Sequence, residues 1–398
     1  MNFFSDEIRR NPHPVYDQMR SSSPVLHVPP LNLWMIFDYE GVKQALNDHD
    51  AFSSSMATAN RRNPEWFIFF DPPRHTKLRA IVMRAFTPGV VANLEPLVRE
   101  LSCELLDQTI ERGEMDLAAD FSIPLPMMVI AGMLGIPVAD RSRLKHWGDM
   151  VLRLSYTIPG GEEGLKASEQ YRAVTVEMNE YLTSFLEERR AEPRDDLLTR
   201  LVAAEVDGER LSEKEILGFF QLLLVAGTET TTNLINNALL CLVENPEQFA
   251  RLRAAPNLVA STIEEVLRYH TPVQWVFRGT RRDVEMHGQV IPAGRFVLPM
   301  IGSANRDPKQ FREPGNFDIL RDPNPHIAFG HGIHFCLGAA LSRLEARIAL
   351  ADLLERMRSF ELASNQPWQP RQALNVYGPA SLPIRFEPAK RSAGFVRH

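Results

Sequence analysis

Cys336 sits in the run Phe329-Gly330-His331-Gly332-Ile333-His334-Phe335-Cys336-Leu337-Gly338, just ahead of a long apolar-periodic segment. The glycines supply the tight backbone that lets a loop fold beneath the sulfur. A helix starting after the loop aims amides and a positive dipole end at Cys336, which favours the thiolate. A thiolate held this way is a strong axial donor to haem iron. Two plainer chemistries compete. A lone cysteine is often a buried, inert thiol, and His326, His331 and His334 with Cys336 hold enough donors for zinc. Against zinc, His331, His334 and Cys336 share one glycine loop and lack the separated ligand pairs of structural sites.

A second cluster is Ala226-Gly227-Thr228-Glu229-Thr230-Thr231, inside a helical stretch. Glycine costs about 1 kcal/mol there relative to alanine, and threonine is a weak helix former. The Thr230 hydroxyl is placed to bond back to the carbonyl of Ala226 and open a notch. An acid beside a hydroxyl, Glu229 beside Thr230, makes a short proton route. The plainer reading is a polar kink bonded to a neighbouring helix. Two charged pairs complete the set. His75 and Arg79 are spaced i,i+4 on one helix face, and Glu265 and Arg268 are spaced i,i+3. Each is ordinarily a solvated surface feature.

These residues need helices to hold them. Apolar residues repeat helically over Leu94 to Arg112, Tyr171 to Arg190 and Ala339 to Met357. Ser212 and Glu215 form a capping box, and Asn245-Pro246 stops the helix that starts there. That helix spans roughly 45–50 Å, and its uncharged stretch Ile216 to Gly227 predicts burial. Strand signals are short: small hairpins over Asp283 to Leu298, and edge strands at Leu31 to Phe37 and Ser381 to Phe386. The fold class is therefore mainly α with minor antiparallel β, as a single domain over 1–398.

Composition narrows the function classes. Lys plus Arg number 44 against 50 Asp plus Glu, a net charge of −6 in 398 residues. That balance speaks against a general nucleic-acid binder. The apolar stretch Met127 to Ile136 is half the roughly 20 residues of a membrane span. Three scattered cysteines, Cys103, Cys241 and Cys336, are a poor disulfide framework and point to a reducing compartment. A cytoplasmic protein with no nucleic-acid or membrane partner is expected.

Together the motifs resemble those of the cytochrome P-450 family, most closely its soluble bacterial members, from about Asn11 to Pro388. Phe329, Gly332, His334, Cys336 and Gly338 match the family's haem-binding signature. Ala226 to Thr231 match its oxygen-activation motif, with Glu229 where many bacterial members carry Asp. Glu265 and Arg268 match its Glu-x-x-Arg pair. The resemblance implies the cytochrome P-450 fold and haem b (iron protoporphyrin IX) ligated by Cys336. It implies propionates held by His75, Arg79, Arg278 and His334, and proton relay by Glu229 and Thr230. It further implies a substrate pocket at Leu222, Val225, Ala226, Val273, Gln274 and Trp275, with the aromatic segment Asn63 to Phe70 as a substrate loop. The implied activity is a haem-thiolate monooxygenase inserting one oxygen atom of O₂ into an apolar small molecule. A ferredoxin and its reductase would supply electrons, the ferredoxin docking where Arg74, Lys77, Arg84, Arg343 and Arg347 cluster. Alternatives are a peroxide-using peroxygenase on the same fold, a non-catalytic haem sensor or carrier, and a zinc hydrolase.

Overall fold

A computed structural model of the chain describes residues 3–55, 64–157 and 160–389. The central helix runs Glu213–Glu244 and starts at a complete capping box, in which the Ser212 amide donates to Glu215 at 2.9 Å. At its far end Pro246 opens the next helix, and the Asn245 side chain donates to the Cys241 carbonyl. The helices Pro124–Met133, Val259–Tyr269 and Ala339–Arg356 pack most extensively on this axis. The last of these follows Cys336, so the sulfur is delivered at the end of a helix buried in the core. Apolar burial of this kind contributes about 25 cal/mol per Å² and holds most of the fold together.

Helix ends differ modestly from the periodicity. The segment from Leu94 becomes a helix over Glu95–Asp107 and a short 3₁₀ turn over Ile110–Arg112. The helix containing Tyr171 starts ten residues earlier, at Gly161.

Both expected edge strands are interior. Leu33–Ile36 pairs antiparallel with Val25–Val28 and, on its other side, parallel with Phe296–Pro299, within a five-stranded sheet. All four of its residues are buried, which an apolar run without alternation signals. Pro383–Pro388 lies between Met357–Leu362 and Glu114–Asp116. Within Asp283 to Leu298, only Val284–Met286 and Gln289–Ile291 form a hairpin, turning through His287 and Gly288 at positive φ. Phe296–Pro299 leaves that hairpin to join the larger sheet. Among the described residues no helix is long and apolar enough to cross a membrane.

Candidate active site

A cavity of about 480 Å³ opens between the central helix and the cysteine loop. Cys336 lines it. The loop is set by backbone geometry: the Cys336 amide donates to the Phe329 carbonyl at 2.9 Å, and Phe335 donates to Gly332 at 3.0 Å. Gly332 sits at φ +68°, and a Cβ there would come within 2.8 Å of Asn47 Oδ1. Only glycine meets both constraints. Phe329 and Gly338 line the cavity with Cys336, whereas Gly332 faces the helix Tyr39–Asn47 instead. Burial pushes the Cys336 thiol up, against the Gly338 amide, Arg79 and Arg343, which pull it down.

Arg79, Arg278 and His334 line the cavity, and His75 packs behind them against His334. The His75 and His334 rings lie 4.1 Å apart between centroids. Neither His75 nitrogen nor His334 Nδ1 has a hydrogen-bond partner, while His334 Nε2 meets Ser54 Oγ at 2.9 Å. Arg79 donates to the Phe335 carbonyl at 2.6 Å. Arg278 is buried and donates only to the Phe277 carbonyl at 2.7 Å, with no ion pair among the described residues. The nearest acid acting on it, Asp71, is already engaged by Ser53, Ser54 and Arg281. Burial lowers Arg278 to about 10. Burial and then Arg79 lower His75 to about 4, and burial and then His75 lower His334 to about 3. Buried cations and unpaired imidazoles without an anion are costly. Two carboxylates entering beside them satisfy all four, so the residues present fit the propionates of a haem.

The opposite wall belongs to the central helix. Thr230 Oγ1 donates to the Ala226 carbonyl at 2.7 Å, and Thr228 does the same to Leu224 at 2.6 Å. Glu229 is buried and receives both Nε and Nη2 of Arg371, at 2.7 and 2.5 Å. Arg371 had no sequence signal: its partner is 142 residues away. Its carbonyl is in turn capped by Arg9, which also donates to the Ala373 carbonyl at 2.8 Å.

Leu222, Val225, Ala226, Val273 and Trp275 all line the cavity. Gln274 does not. Its Nε2 donates to the Thr271 carbonyl at 2.7 Å and its amide group packs on Gly302, because neighbours in an extended segment point to opposite sides. Gln274 is therefore removed from the pocket. Asn63 lies outside the described residues, but Trp66, Phe67, Ile68 and Phe69 reach the cavity. The Trp66 and Phe69 rings stack 5.6 Å apart, and Trp66 Nε1 donates to Gln221 at 3.2 Å. Gly218 fixes this segment on the central helix: a Cβ there would lie 2.1 Å from the Glu65 carbonyl oxygen.

Beneath the loop, charges are paired. Glu265 holds Arg268 at 2.6 and 2.8 Å, with both side chains fully buried. Arg321, which the motif did not reveal, adds contacts of 3.1 Å to the same carboxylate. Glu264 binds Arg343 at 2.7 Å and His326 at 3.0 Å; burial opposes its charge, yet Arg343 and His326 hold it at about 2. Arg74 pairs with Glu65 and Glu215, and Lys77 with Glu209. Three of the five cations expected to cluster for docking are thus neutralised, leaving Arg84 and Arg347. No three His, Cys, Asp or Glu side chains converge as a metal site among the described residues.

Comparison with known proteins follows this geometry. The sequence profile described as Cytochrome P450 matches residues 3–257 and 257–380. Cytochrome P450 109 of Bacillus spizizenii is 40% identical over 391 residues, covering 96% of this chain and 93% of the relative. The structure of cytochrome P450 CYP109Q5 from Chondromyces apiculatus superposes with a TM-score of 0.89 at 39% identity, covering 97% of this chain and 98% of that one. CYP109E1 from Bacillus megaterium in complex with testosterone gives 0.85 at 39% identity, covering 94% and 99%.

Proposed function

The chain belongs to the cytochrome P450 family, an enzyme family of haem-thiolate monooxygenases, and on that premise we propose that it oxidises an apolar small organic molecule at the cavity above Cys336. The single observation that carries this site is the set Arg79, Arg278 and His334 lining the same cavity as Cys336, with the His75 ring packed against His334 and no ion pair to any of the four among the described residues. Haem b would be held there by these side chains with the Cys336 sulfur as its protein ligand, and would supply the O₂-activating chemistry of the reaction.

The chain's own residues do the rest. His75, Arg79, Arg278 and His334 would hold the two propionates. Gly332, at a positive φ and against Asn47, holds the loop that presents Cys336 to the cavity. Thr230, its proton given to Ala226, keeps lone pairs free to accept a hydrogen bond from a proton donor in the cavity. Glu229, pinned by Arg371, orients the polar end of the distal wall. Trp66, Phe67, Phe69 and Trp275 exclude water from the substrate space. Glu265 and Arg268 brace the fold beneath the loop.

The testosterone complex of the Bacillus megaterium relative supports testing steroids first, alongside fatty acids and terpenoids. Electrons come from a separate ferredoxin and reductase in the cytoplasm, and the whole chain 1–398 serves as one haem domain. Docking rests on Arg84 and Arg347 more than on the five-cation cluster, and turnover insensitive to ionic strength would remove it.

The deciding experiment is a carbon monoxide difference spectrum of the reduced, haem-loaded protein, followed by reductant-dependent O₂ consumption with each candidate. The thiolate absorption and substrate-stimulated consumption are expected. Turnover with hydrogen peroxide alone would favour a peroxygenase, and spectral binding without consumption would favour a sensor or carrier.

A further inference from the structure

Beyond the cysteine loop the cavity lining is mostly apolar, with Val151, Leu152, Phe219 and Leu223 among its residues. One amide interrupts it. Asn375 lines the cavity, and no other Asn or Gln does so among the described residues. It is half-buried between Leu374 and Val376, which are 6% and 5% exposed, so the surface it keeps is turned to the cavity. Its side chain makes no hydrogen bond among the described residues, which leaves both N–H donors and the carbonyl acceptor unused.

The hydroxyls of the same lining are engaged. Ser155 donates to the Leu152 carbonyl at 3.1 Å and accepts from the Leu374 amide at 3.0 Å. Thr230 donates to Ala226, and Thr231 to Ser342. Ser54 meets His334.

The backbone that carries Asn375 is fixed from several sides. Its carbonyl accepts from the Gln274 amide at 2.8 Å. The Leu374 amide is on Ser155, the Ala373 carbonyl accepts from Arg9, and the Tyr377 carbonyl accepts from Asn237 at 3.0 Å. A free amide is therefore presented on a braced segment, the arrangement that fixes a bound group's place. Covering that amide with hydrocarbon forfeits its hydration, whereas an oxygen that pairs with it replaces what is lost. A neutral amide brings no countercharge, so a buried carboxylate gains little from it.

We propose that Asn375 is a specificity-determining residue that anchors a neutral oxygen function of the substrate, a keto or hydroxyl group on an otherwise apolar body. The inference rests on the monooxygenase reading and narrows its substrate class. A ketone accepts from Asn375 Nδ2, and an alcohol can also donate to Oδ1. With its polar end held there, the substrate presents a carbon at a set distance from that end to the region above Cys336, so the anchor also governs which position is oxidised.

Dodecane, methyl decyl ketone and dodecanoic acid share one apolar chain and test the anchor in the haem-loaded protein at neutral pH, by calorimetry and by the substrate-induced spectral shift. Wild type is expected to bind the ketone about tenfold more tightly than dodecane or the acid. Asn375→Leu, close in shape, should lose that advantage while binding dodecane at least as tightly, which reports an intact cavity. Asn375→Thr, which keeps a hydroxyl donor, should hold an intermediate preference. In turnover of the ketone, product should spread over more chain positions in Asn375→Leu than in wild type. A wild type that binds the ketone no better than dodecane, or not at all, would overturn the inference, as would a full ketone preference surviving in both variants. Tighter binding of the acid than of the ketone would overturn the neutral substrate class. A wild type that binds the ketone as expected yet consumes no O₂ would instead sink the monooxygenase reading, with the anchor still in place.

Discussion

Two buried carboxylate–guanidinium pairs, Glu265 with Arg268 and Glu229 with Arg371, share a geometry and differ in everything around it. Glu265 is saturated. Besides Arg268 it accepts from Arg321, the Asp318 amide and the Asn324 side chain. Among the described residues Glu229 has Arg371 alone, and it borders the cavity. A saturated carboxylate has one state, so its work is to hold strands of chain together. A carboxylate held by one guanidinium beside a cavity depends on that one partner for its orientation, so its place in the cavity wall can be lost with a single substitution. The difference lies in the surrounding donors, not in the pair.

Substitutions separate the two. Glu265→Ala strands Arg268 and Arg321 without an anion and should cost about 3–5 kcal/mol; a denaturant midpoint close to wild type would show the pair to be dispensable. The unanswered cations of the haem wall give the next largest effect. With His75 at about 4 when folded and about 6.5 when unfolded, the unfolded chain binds the extra proton first as pH falls. The stability of haem-free protein from this source is complete above pH 6.5 and lost toward pH 4, up to about 3 kcal/mol. Haem loading should blunt the loss, because carboxylates favour the charged imidazole; parallel acid titrations of the two forms measure it.

Arg371→Met is smaller, about 1–3 kcal/mol, since water in the cavity can solvate the freed Glu229. Its signature should be functional, with less product per reductant and a displaced pH profile. An Arg371→Met enzyme that couples normally would return Glu229 to a purely structural role. Thr230→Ala should leave stability within about 0.5 kcal/mol while reductant is consumed and peroxide released with little product. Tight coupling in that variant removes Thr230 from the chemistry. Least affected is Gln274→Ala, which should leave the substrate-induced spectral shift unchanged where Trp275→Ala weakens it.

What the sequence discloses follows contact distance along the chain. The capping box at Ser212, the back-bond from Thr230 to Ala226 and the Glu265–Arg268 pair all close within four residues, so spacing reveals them. The cysteine loop is legible because Gly332 is needed for both its φ and its clearance. Arg371 and Arg321 are not, since their partners are far away in sequence and arginine is ordinary in composition. The segments Leu31 to Phe37 and Ser381 to Phe386 read as edge strands but lie inside their sheets, because an edge or interior place depends on partners elsewhere in the chain. Gln274 was misassigned for a simpler reason: a segment known to border a pocket still turns alternate side chains away from it.

Arg9 gives the amino-terminal helix an influence well beyond its length. By gripping the carbonyls of Arg371 and Ala373 it anchors the stretch whose guanidinium sets Glu229. Trimming the first ten residues would therefore disturb oxidation chemistry from a distance, through the loss of Arg9.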